Sequence, residues 1–434
     1  MDIRTQCSAK SVVFFRWEVD SGGSFRGQML YARWQRIRDT HAQEIALWHF
    51  AAPAPLTFLE LDEMSRAVPI SQNFLVARSG RVDFLPILIA GWRERVPVIL
   101  VEGAGREPTA VNGAIPEGTA IVKQTCGAAG VERSLFFSES AILAEGERNV
   151  SGLGLHRGRR GLAALSMAHS YGFGCLALPL LLRGIPVEVL DAPFGPVMEA
   201  ALNRGGPVFC PAVPALWKLW GQSGITARPE IDLAVSAGAP LRRELEKQIY
   251  DRDHLKVRNF YGTSETGAVA FDHSGELREK EELLGAVLDG VAVTINSEGH
   301  AVITTDALAS GSDSLVHLTD WQSGSYTTQD RVTLEGKQLM FHGCDGDSIN
   351  VAGRKVSQEK VKALLSCHSS VKALTISPQK SRDPERVQEV KCEVVLGAGE
   401  TVSALKSFAV EHLESWEVPR IWSVLPEHSA TSCR

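Results

Sequence analysis

The stretch Thr125-Cys-Gly-Ala-Ala-Gly-Val-Glu-Arg133 lies between a predicted strand at residues 120–123 and a predicted helix that begins after Ser138. Its small residues allow backbone N–H groups to point inward, and the N-terminus of a following helix favours anions. The stretch therefore indicates a phosphate-binding loop, although an ordinary strand-to-helix turn has the same composition. The Ser138 hydroxyl is expected to cap the helix.

Strands and helices alternate on both sides of this loop. Short apolar runs predict strands at residues 96–102, 185–190, 206–210 and 233–236, and helical spacing predicts helices at 213–220 and 244–250. Such alternation is typical of βαβ units and mainly parallel sheets. We predict an α/β protein whose large N-terminal domain, residues 1–342, has mainly parallel sheets flanked by helices.

The pattern changes toward the C-terminus. Residues 291–305 predict a hairpin around Ser297-Glu-Gly299. A compact final unit follows, with helices predicted at 357–366 and 401–416 and strands at 371–376 and 387–396. We predict a small, mobile α+β C-terminal domain at residues 343–434, after a hinge that contains Asp345, Gly346 and Asp347.

Composition excludes several functional classes. Of 434 residues, 44% are apolar and 22% are charged, as in ordinary globular proteins. The net charge of −6 gives no general electrostatic reason to bind nucleic acid. The longest apolar run, residues 173–182, is about half the ~20 residues of a membrane-spanning helix. The polar N-terminus does not resemble a secretory signal, so we expect a cytoplasmic protein.

The eight cysteines are widely scattered and form no Cys-x-x-Cys pair. This distribution favours free thiols in a reducing compartment and argues against a metal site built from cysteine.

Two further loops carry polar side chains among small residues. Ser236-Ala-Gly-Ala-Pro240 resembles the first loop in its composition. Tyr261-Gly-Thr-Ser-Glu-Thr-Gly267 adds an aromatic ring, several hydroxyls and a carboxylate within seven residues. That combination suits the stacking of a ring and the binding of a phosphate or a magnesium ion. An exposed turn is the alternative interpretation.

Six segments in series resemble the motifs of the adenylate-forming superfamily, which contains acyl-CoA synthetases, peptide-synthetase adenylation domains and luciferases. The resemblance covers residues 95–434 and rests on the segments 125–133, 167–184, 236–241, 261–265, 326–330 and 349–357. It implies a large α/β domain, a small mobile C-terminal domain and a ligand site between them. In the family, an acyl group is adenylated, the C-terminal domain swings, and a pantetheine thiol then attacks.

The resemblance also implies roles by position. Asp330 would hold ribose hydroxyls, and Glu265 would be the carboxylate for magnesium if that metal is bound. The acyl pocket would be bordered by His169, Tyr171, Phe173 and Gly262. The implied nucleotide- or CoA-binding residues are Gly127, Gly130, Arg133, Gly238, Ala239, Pro240, Tyr261, Thr263, Ser264, Glu265 and Asp330.

Departures from the family pattern are concentrated at the positions that handle ATP. Ala128 and Ala129 replace the two hydroxyl residues that would contact the outer phosphates, and Arg133 replaces the loop lysine. Cys344 replaces the arginine of the hinge motif, and the late family lysine has no counterpart before Arg434. Each lost charge-assisted hydrogen bond is worth about 1.5–3 kcal/mol. The departures predict impaired adenylation, which Arg133 can offset in part.

The favoured hypothesis is an acyltransferase that needs no ATP and no other cofactor. A CoA thioester would donate the acyl group, an aryl group such as anthraniloyl, and the phosphopantetheine thiol of an acyl carrier protein would accept it. His169 is the candidate base, and Cys126 and Cys175 are candidates for a covalent intermediate. For each cysteine, a small buried side chain is the better interpretation, because free cysteines are commonly buried and inert.

Two alternatives stay open. The first is an ATP- and magnesium-dependent acyl- or aryl-CoA ligase with a tolerant phosphate loop. The second is a binding protein that has lost catalysis, because fold does not determine function. The sequence leaves the acyl group, the oligomeric state and the role of residues 1–94 undetermined.

Overall fold

The computed structural model describes residues 29–103, 108, 111, 113–126, 132–313, 321–322, 324–345, 349–397 and 401–425. In this part of the chain every helix is too short or too polar to span a bilayer. A π-helical turn, Phe173–Ala177, joins the helices Ser170–Gly172 and Leu178–Arg183, and 3-10 turns occur at Ile225–Ala227 and Pro384–Arg386. The helices are α1 (Met29–His41), α2 (Phe58–Arg66), α3 (Phe84–Glu94), α4 (Glu139–Gly152), α5 (Ser170–Gly172), α6 (Leu178–Arg183), α7 (Gly195–Leu202), α8 (Pro214–Ser223), α9 (Arg243–Asp253), α10 (Gln358–Ser366) and α11 (Val402–His412).

The strands of the N-terminal region are β1 (Ile45–His49), β2 (Leu56–Thr57), β3 (Leu75–Arg78), β4 (Val98–Val101), β5 (Thr119–Cys126), β6 (Glu132–Ser138), β7 (Arg160–Ala163), β8 (Val187–Val189), β9 (Val208–Ala212), β10 (Ile231–Ser236), β11 (Val257–Thr263) and β12 (Gly267–Phe271). The remaining strands are β13 (Leu283–Val287), β14 (Val291–Ile295), β15 (His300–Thr305), β16 (Gly311–Ser312), β17 (Trp321–Gln322), β18 (Ser325–Glu335), β19 (Gln338–Cys344), β20 (Ile349–Val351), β21 (Arg354–Val356), β22 (Val371–Lys380), β23 (Gln388–Leu396) and β24 (Ile421–Val424).

Two large sheets carry the site. In one, the order is β16-β6-β5-β4-β3, and β3, β4 and β5 are parallel. In the other, the strands are parallel along β1-β8-β7-β9-β10-β11 and antiparallel beyond β11. The α/β prediction is confirmed, with helices between the parallel strands as the alternation of patterns indicated. The predicted hairpin at 291–305 is the β14–β15 pair.

Local signals explain why several elements begin and end where they do. Ser138 caps α4 by accepting a hydrogen bond from the Ala141 amide at 3.2 Å. Helix α11 ends at His412, four residues before its predicted end, because Leu413 is extended (φ −111°, ψ 152°). This early end turns the chain so that Trp416 reaches the cavity described below.

The N-terminal and C-terminal parts of the chain have separate apolar cores, and the main N-terminal core joins both large sheets. Fully buried side chains such as Trp34, Trp92 and Phe173 fill the N-terminal region. The C-terminal unit, which we define as residues 349–425, has a separate core that includes Val361 and Leu374. The segment before it is anchored by Asp345, which accepts hydrogen bonds from Arg331 at 2.7 Å and lies 2.9 Å from a ring nitrogen of His300. A domain boundary near residue 343 stays a prediction, and the predicted hinge residues Gly346 and Asp347 lie outside the described residues.

Candidate functional site

A cavity of about 490 Å³ lies where the carboxyl ends of strands from both large sheets meet. Strand β4 contributes Leu100 and Val101, and β5 contributes Gln124 and Thr125. The segments after β10 and β11 close the opposite wall. This volume lies within the range of small-molecule sites.

Most of the predicted site residues come together in this cavity. Three others, Gly127, Gly130 and the side chain of Cys126, lie outside the described part of the chain, and only the backbone of Cys126 is seen, at the end of β5. The predicted residues that line the cavity are Arg133, His169, Gly238, Ala239, Pro240, Tyr261, Gly262, Thr263, Ser264, Glu265 and Asp330.

Three predicted residues do not line the cavity. Cys175 is 1% exposed on the π-helical turn, and burial raises the pKa of its thiol well above the ordinary value. A thiol that is buried and protonated is a poor nucleophile, so the structure argues against a covalent role for Cys175. Phe173 is a core side chain as well. Tyr171 donates a hydrogen bond to the Val235 carbonyl at 3.1 Å and stacks on Phe260, which supplies the aromatic surface of the cavity in its place.

His169 lies in the cavity wall as the cap of the short helix α5. Its Nδ1 accepts a hydrogen bond from the Tyr171 amide at 3.3 Å. Burial lowers the pKa of His169 below its ordinary value, and Arg354 and Lys123 add to the effect against the opposing charge of Glu102. The ring is therefore neutral at pH 7, and since Nδ1 accepts, the proton lies on Nε2. This geometry favours His169 as a hydrogen-bond donor through Nε2, and the role of His169 as a base stays a prediction.

Glu265 lies in the cavity wall and forms an ion pair with Arg133. Burial alone would raise the pKa of Glu265, but the charges of Arg133 and Lys355 outweigh it, so that the pKa is lowered and the carboxylate stays ionised. Arg133 also lies 3.5 Å from the Tyr326 hydroxyl and 5.6 Å from the centre of the Trp321 ring.

Asp330 also has a partner within the chain. The Tyr261 hydroxyl donates to its carboxylate at 2.6 Å. Burial, with a contribution from Asp330, raises the pKa of Tyr261 well above the ordinary value, so the phenol stays protonated and remains a donor. The two carboxylates that the resemblance gives to ribose and magnesium therefore both have partners within the protein.

The described residues do not fit a magnesium ion at this place. Magnesium is usually held by one or two protein carboxylates together with waters and substrate phosphates, so the state of Glu265 decides the fit. In the described ranges, no group of three or more His, Cys, Asp or Glu side chains is arranged to hold a metal. Glu265 itself faces the guanidinium of Arg133, which would repel a divalent cation.

The C-terminal unit supplies the last wall of the cavity with Asn350, Gly353, Arg354 and Lys355. Arg354 forms an ion pair with Glu102, which follows β4, and its guanidinium lies 4.0 Å from the centre of the Trp416 ring. These contacts bring two cationic side chains to the cavity from the C-terminal unit.

Two glycines meet where this unit contacts the loop after β10. Gly238 (φ +81°) and Gly353 (φ +88°) both have left-handed backbone conformations. A Cβ atom added to Gly353 would lie 2.9 Å from Val213 Cγ1 and 3.5 Å from the Gly238 carbonyl oxygen. The Asn350 side-chain amide donates to that carbonyl at 3.4 Å. The contact therefore depends on close approach of two main chains.

Several residues of the cavity were missed by sequence reasoning. Glu102, Arg354 and Trp416 lie in or directly after short segments whose sequence has no pattern that by itself indicates a site. Arg354 and Lys355 had a weak signal, because they fall in the segment 349–357 that resembles a family motif. Trp416 had none, since its position depends on the end of α11.

Glu385 makes the contact between the C-terminal unit and the N-terminal region depend on pH. Burial raises the pKa of Glu385 from 4.5 to about 7. The positive charges of Arg242 and Lys218 oppose this rise, and the negative charges of Asp383 and Glu281 add to it. Lys218 also pairs with Asp383 at 2.6 Å across this contact. Because the raised pKa favours the protonated form in the docked state, the contribution of Glu385 to docking is fully present below pH 4.5 and is lost as pH rises through 7.

We expect the radius of gyration, measured by small-angle X-ray scattering, to increase from pH 6 to pH 8. Glu385→Gln mimics the protonated form and should remove this increase, whereas Glu411→Gln, on the exposed face of α11, should keep it. An equal response of wild type and Glu385→Gln would contradict the assignment.

Comparisons with known proteins agree with this fold. Residues 137–305 match the family model "AMP-binding enzyme". The fold is similar to that of amide bond synthetase McbA from Marinactinospora thermotolerans (19% identity, TM-score 0.74, 91% of this chain and 95% of that one). It is also similar to a double mutant of o-succinylbenzoate CoA synthetase from Bacillus subtilis bound to a product analogue (16%, 0.76, 91% and 94%).

A further similar structure is a malonyl-CoA ligase with methylmalonyl-CoA and AMP bound (18% identity, TM-score 0.74, 88% of this chain and 96% of that one). No curated protein sequence gives a significant match. The family match in residues 137–305 agrees with the resemblance to the adenylate-forming superfamily, and the solved structures show that the fold is shared.

Proposed function

From an adenylate-forming fold with an AMP-binding-enzyme region at residues 137–305, we propose that this chain is an ATP-independent acyltransferase. It transfers an acyl group from a CoA thioester to the phosphopantetheine thiol of an acyl carrier protein. An aryl group such as anthraniloyl is the preferred cargo, because aromatic rings stack well on one another. The aromatic side chains available in the cavity wall are Phe260, Tyr261, Tyr326, Phe341 and Trp416.

The observation that carries this proposal is the uneven loss of side chains among the segments that resemble family motifs. Ala128 and Ala129 stand where hydroxyls would contact the outer phosphates of ATP. His169 and the aromatic wall, which would contact the acyl group, are retained. Since a thioester is already activated, its acyl group can move to another thiol without ATP.

The proposed reaction is a thioester exchange. The sulfur of the carrier's pantetheine, as thiolate, attacks the acyl carbonyl carbon. The bond from that carbon to the CoA sulfur then breaks, and CoA leaves as a thiolate that takes up a proton. The overall balance is one thioester and one thiol on each side, so catalysis consists of positioning and of stabilising charge.

Residues of the cavity fit these two needs. The Nε2–H of His169 is placed to donate to the acyl carbonyl oxygen as negative charge develops there. The positive charges of Arg354 and Lys355 favour thiolate over thiol in the incoming pantetheine. This assignment requires neither Cys126 nor Cys175 as a nucleophile.

The second candidate is an ATP-dependent acyl- or aryl-CoA ligase. It is favoured by the retention of Tyr261, Glu265 and Asp330 and by the fold that the chain shares with CoA synthetases. A non-catalytic binding protein is the third candidate. For each of the three candidate functions, free thiols suit a cytoplasmic location. The described cysteines with free thiols are Cys175, Cys210, Cys344, Cys367 and Cys392.

A single assay distinguishes these functions. Purified protein is incubated with anthraniloyl-CoA and a phosphopantetheinylated carrier protein, and in parallel with free anthranilate, ATP, magnesium and the same carrier. Acyl-carrier is followed by intact mass. We expect product from the thioester in the absence of ATP.

Product that forms only from free acid with ATP would replace the proposal with the ligase. If neither mixture gives product while short aliphatic and other aryl thioesters also fail, and circular dichroism shows a folded chain, the binding protein is the better interpretation.

A further inference from the structure

Arg133 and Glu265 form a charge pair that is almost fully removed from solvent. Their side chains are 4% and 9% exposed. Arg133 belongs to β6 of one large sheet, and Glu265 follows β11 of the other. The pair therefore forms only where the two sheets meet, in the wall of the cavity.

The guanidinium is also fixed by contacts with two aromatic residues of the antiparallel region. The Trp321 ring lies 5.6 Å from its central carbon, and the Tyr326 hydroxyl lies 3.5 Å from one of its nitrogens. These rings come from β17 and β18, which pair with each other. The Arg133 guanidinium is thus held by Glu265 and, separately, by these two aromatic residues.

A single buried carboxylate needs a positive partner. A small divalent cation can provide it, as can an arginine, which is always charged in proteins. Both cannot occupy the same place, because like charges repel strongly where water is scarce. Lys355 adds further positive potential at Glu265.

We infer that the Arg133 guanidinium takes the place of a divalent cation at Glu265, so that this cavity works without one. The departure from lysine to arginine in the loop would then change the kind of cation that the site uses. The chemical meaning of this inference rests on the proposed function, in which no ATP–magnesium complex has to be bound. Metal binding itself can be measured whether or not the chain transfers acyl groups.

The probe is Mn²⁺, whose free concentration is followed by electron paramagnetic resonance. Wild type, Glu265→Gln, Arg133→Ala, Arg133→Gln and the double variant Arg133→Ala/Glu265→Gln are titrated as full-length protein. Arg228→Gln is the matched control, because Arg228 pairs with the surface carboxylates of Glu199 and Glu230, outside the cavity. Circular dichroism and thermal unfolding select the variant of Arg133 that folds.

We expect Arg133→Ala or Arg133→Gln to bind Mn²⁺ at least about tenfold more tightly than wild type, since an unpaired buried carboxylate is strongly unfavourable. The double variant and Arg228→Gln should bind no better than wild type. Equal Mn²⁺ affinity of wild type and the folded Arg133 variant overturns the inference. So does tight binding by wild type that Glu265→Gln abolishes. Failure of acyl transfer in the earlier assay leaves these outcomes unchanged.

Discussion

His169→Ala should slow acyl transfer by about 10²–10³-fold, the usual effect of removing one donor to a developing oxyanion. His169→Gln should lose no more than about tenfold, because its side-chain amide can place an N–H near the position of Nε2. This difference follows from the Tyr171 amide, whose hydrogen bond to Nδ1 leaves the proton of the neutral ring on Nε2. Both variants are compared with wild type by kcat and KM for the CoA thioester.

The pH profile separates a donor from a base. The pKa of His169 lies below the ordinary 6.5, and Nε2 carries a proton in both the neutral and the charged ring. We therefore expect no loss of activity that titrates with His169 as pH falls. A base would give an acidic limb at that pKa, and both variants would then be equally inactive.

The loss of the His169 cap should affect stability only slightly. An N-cap contributes about 1 kcal/mol. If the melting temperature of His169→Ala falls as far as that of the core variant described next, His169 is a structural residue.

Lys123→Met should be among the most destabilising single substitutions in the chain. The Lys123 ammonium lies 2.7 and 2.9 Å from the two Glu145 oxygens, and the side chains are 1% and 2% exposed. The ammonium also lies 4.5 Å from the centre of the Phe137 ring. Removing one partner of a buried pair costs about 3–5 kcal/mol, because the remaining charge is left without compensation. Thermal unfolding by differential scanning fluorimetry measures this effect.

Two controls make this prediction specific. Lys280→Met breaks an ion pair whose side chains are 52% and 59% exposed, and it should leave the melting temperature almost unchanged because solvent screens such pairs. The double variant Lys123→Met/Glu145→Met should recover much of the loss, since apolar side chains of similar volume often replace a buried pair well. Equal melting temperatures for Lys123→Met and Lys280→Met would contradict the proposed energetic role.

The sequence was sufficient to predict those parts of the site that are formed by short continuous segments. The loops that contain Gly238 and Tyr261 were recognised from their composition, and the first of them directly follows the strand predicted at 233–236. The carboxyl ends of parallel strands meet at one edge of a sheet. Their convergence follows from that rule once the strands are placed. His169 was placed correctly in the cavity, but its protonation depends on one backbone amide, which no pattern of side chains reveals.

The remaining parts depend on contacts between distant segments. Cys175 and Phe173 lie one turn beyond His169, and only the packing of the π-helical turn shows that they are buried in the core. The pairing of Arg133 with Glu265 joins residues from two sheets. Arg354 reaches the cavity because the C-terminal unit docks beside Glu102. Such relations are set by tertiary packing and carry no local signature.

The close approach of Gly238 to Gly353 affects the free energy of the contact between the C-terminal unit and the N-terminal region. Neither residue has a side chain to immobilise, so the two surfaces can part and rejoin there without the loss of rotamer freedom that longer residues would suffer. Both backbones already hold the left-handed geometry that glycine adopts without strain. The glycine contact therefore costs no side-chain entropy, and we expect the ion pairs beside it, Arg354 with Glu102 and Lys218 with Asp383, to contribute most to how firmly the C-terminal unit docks.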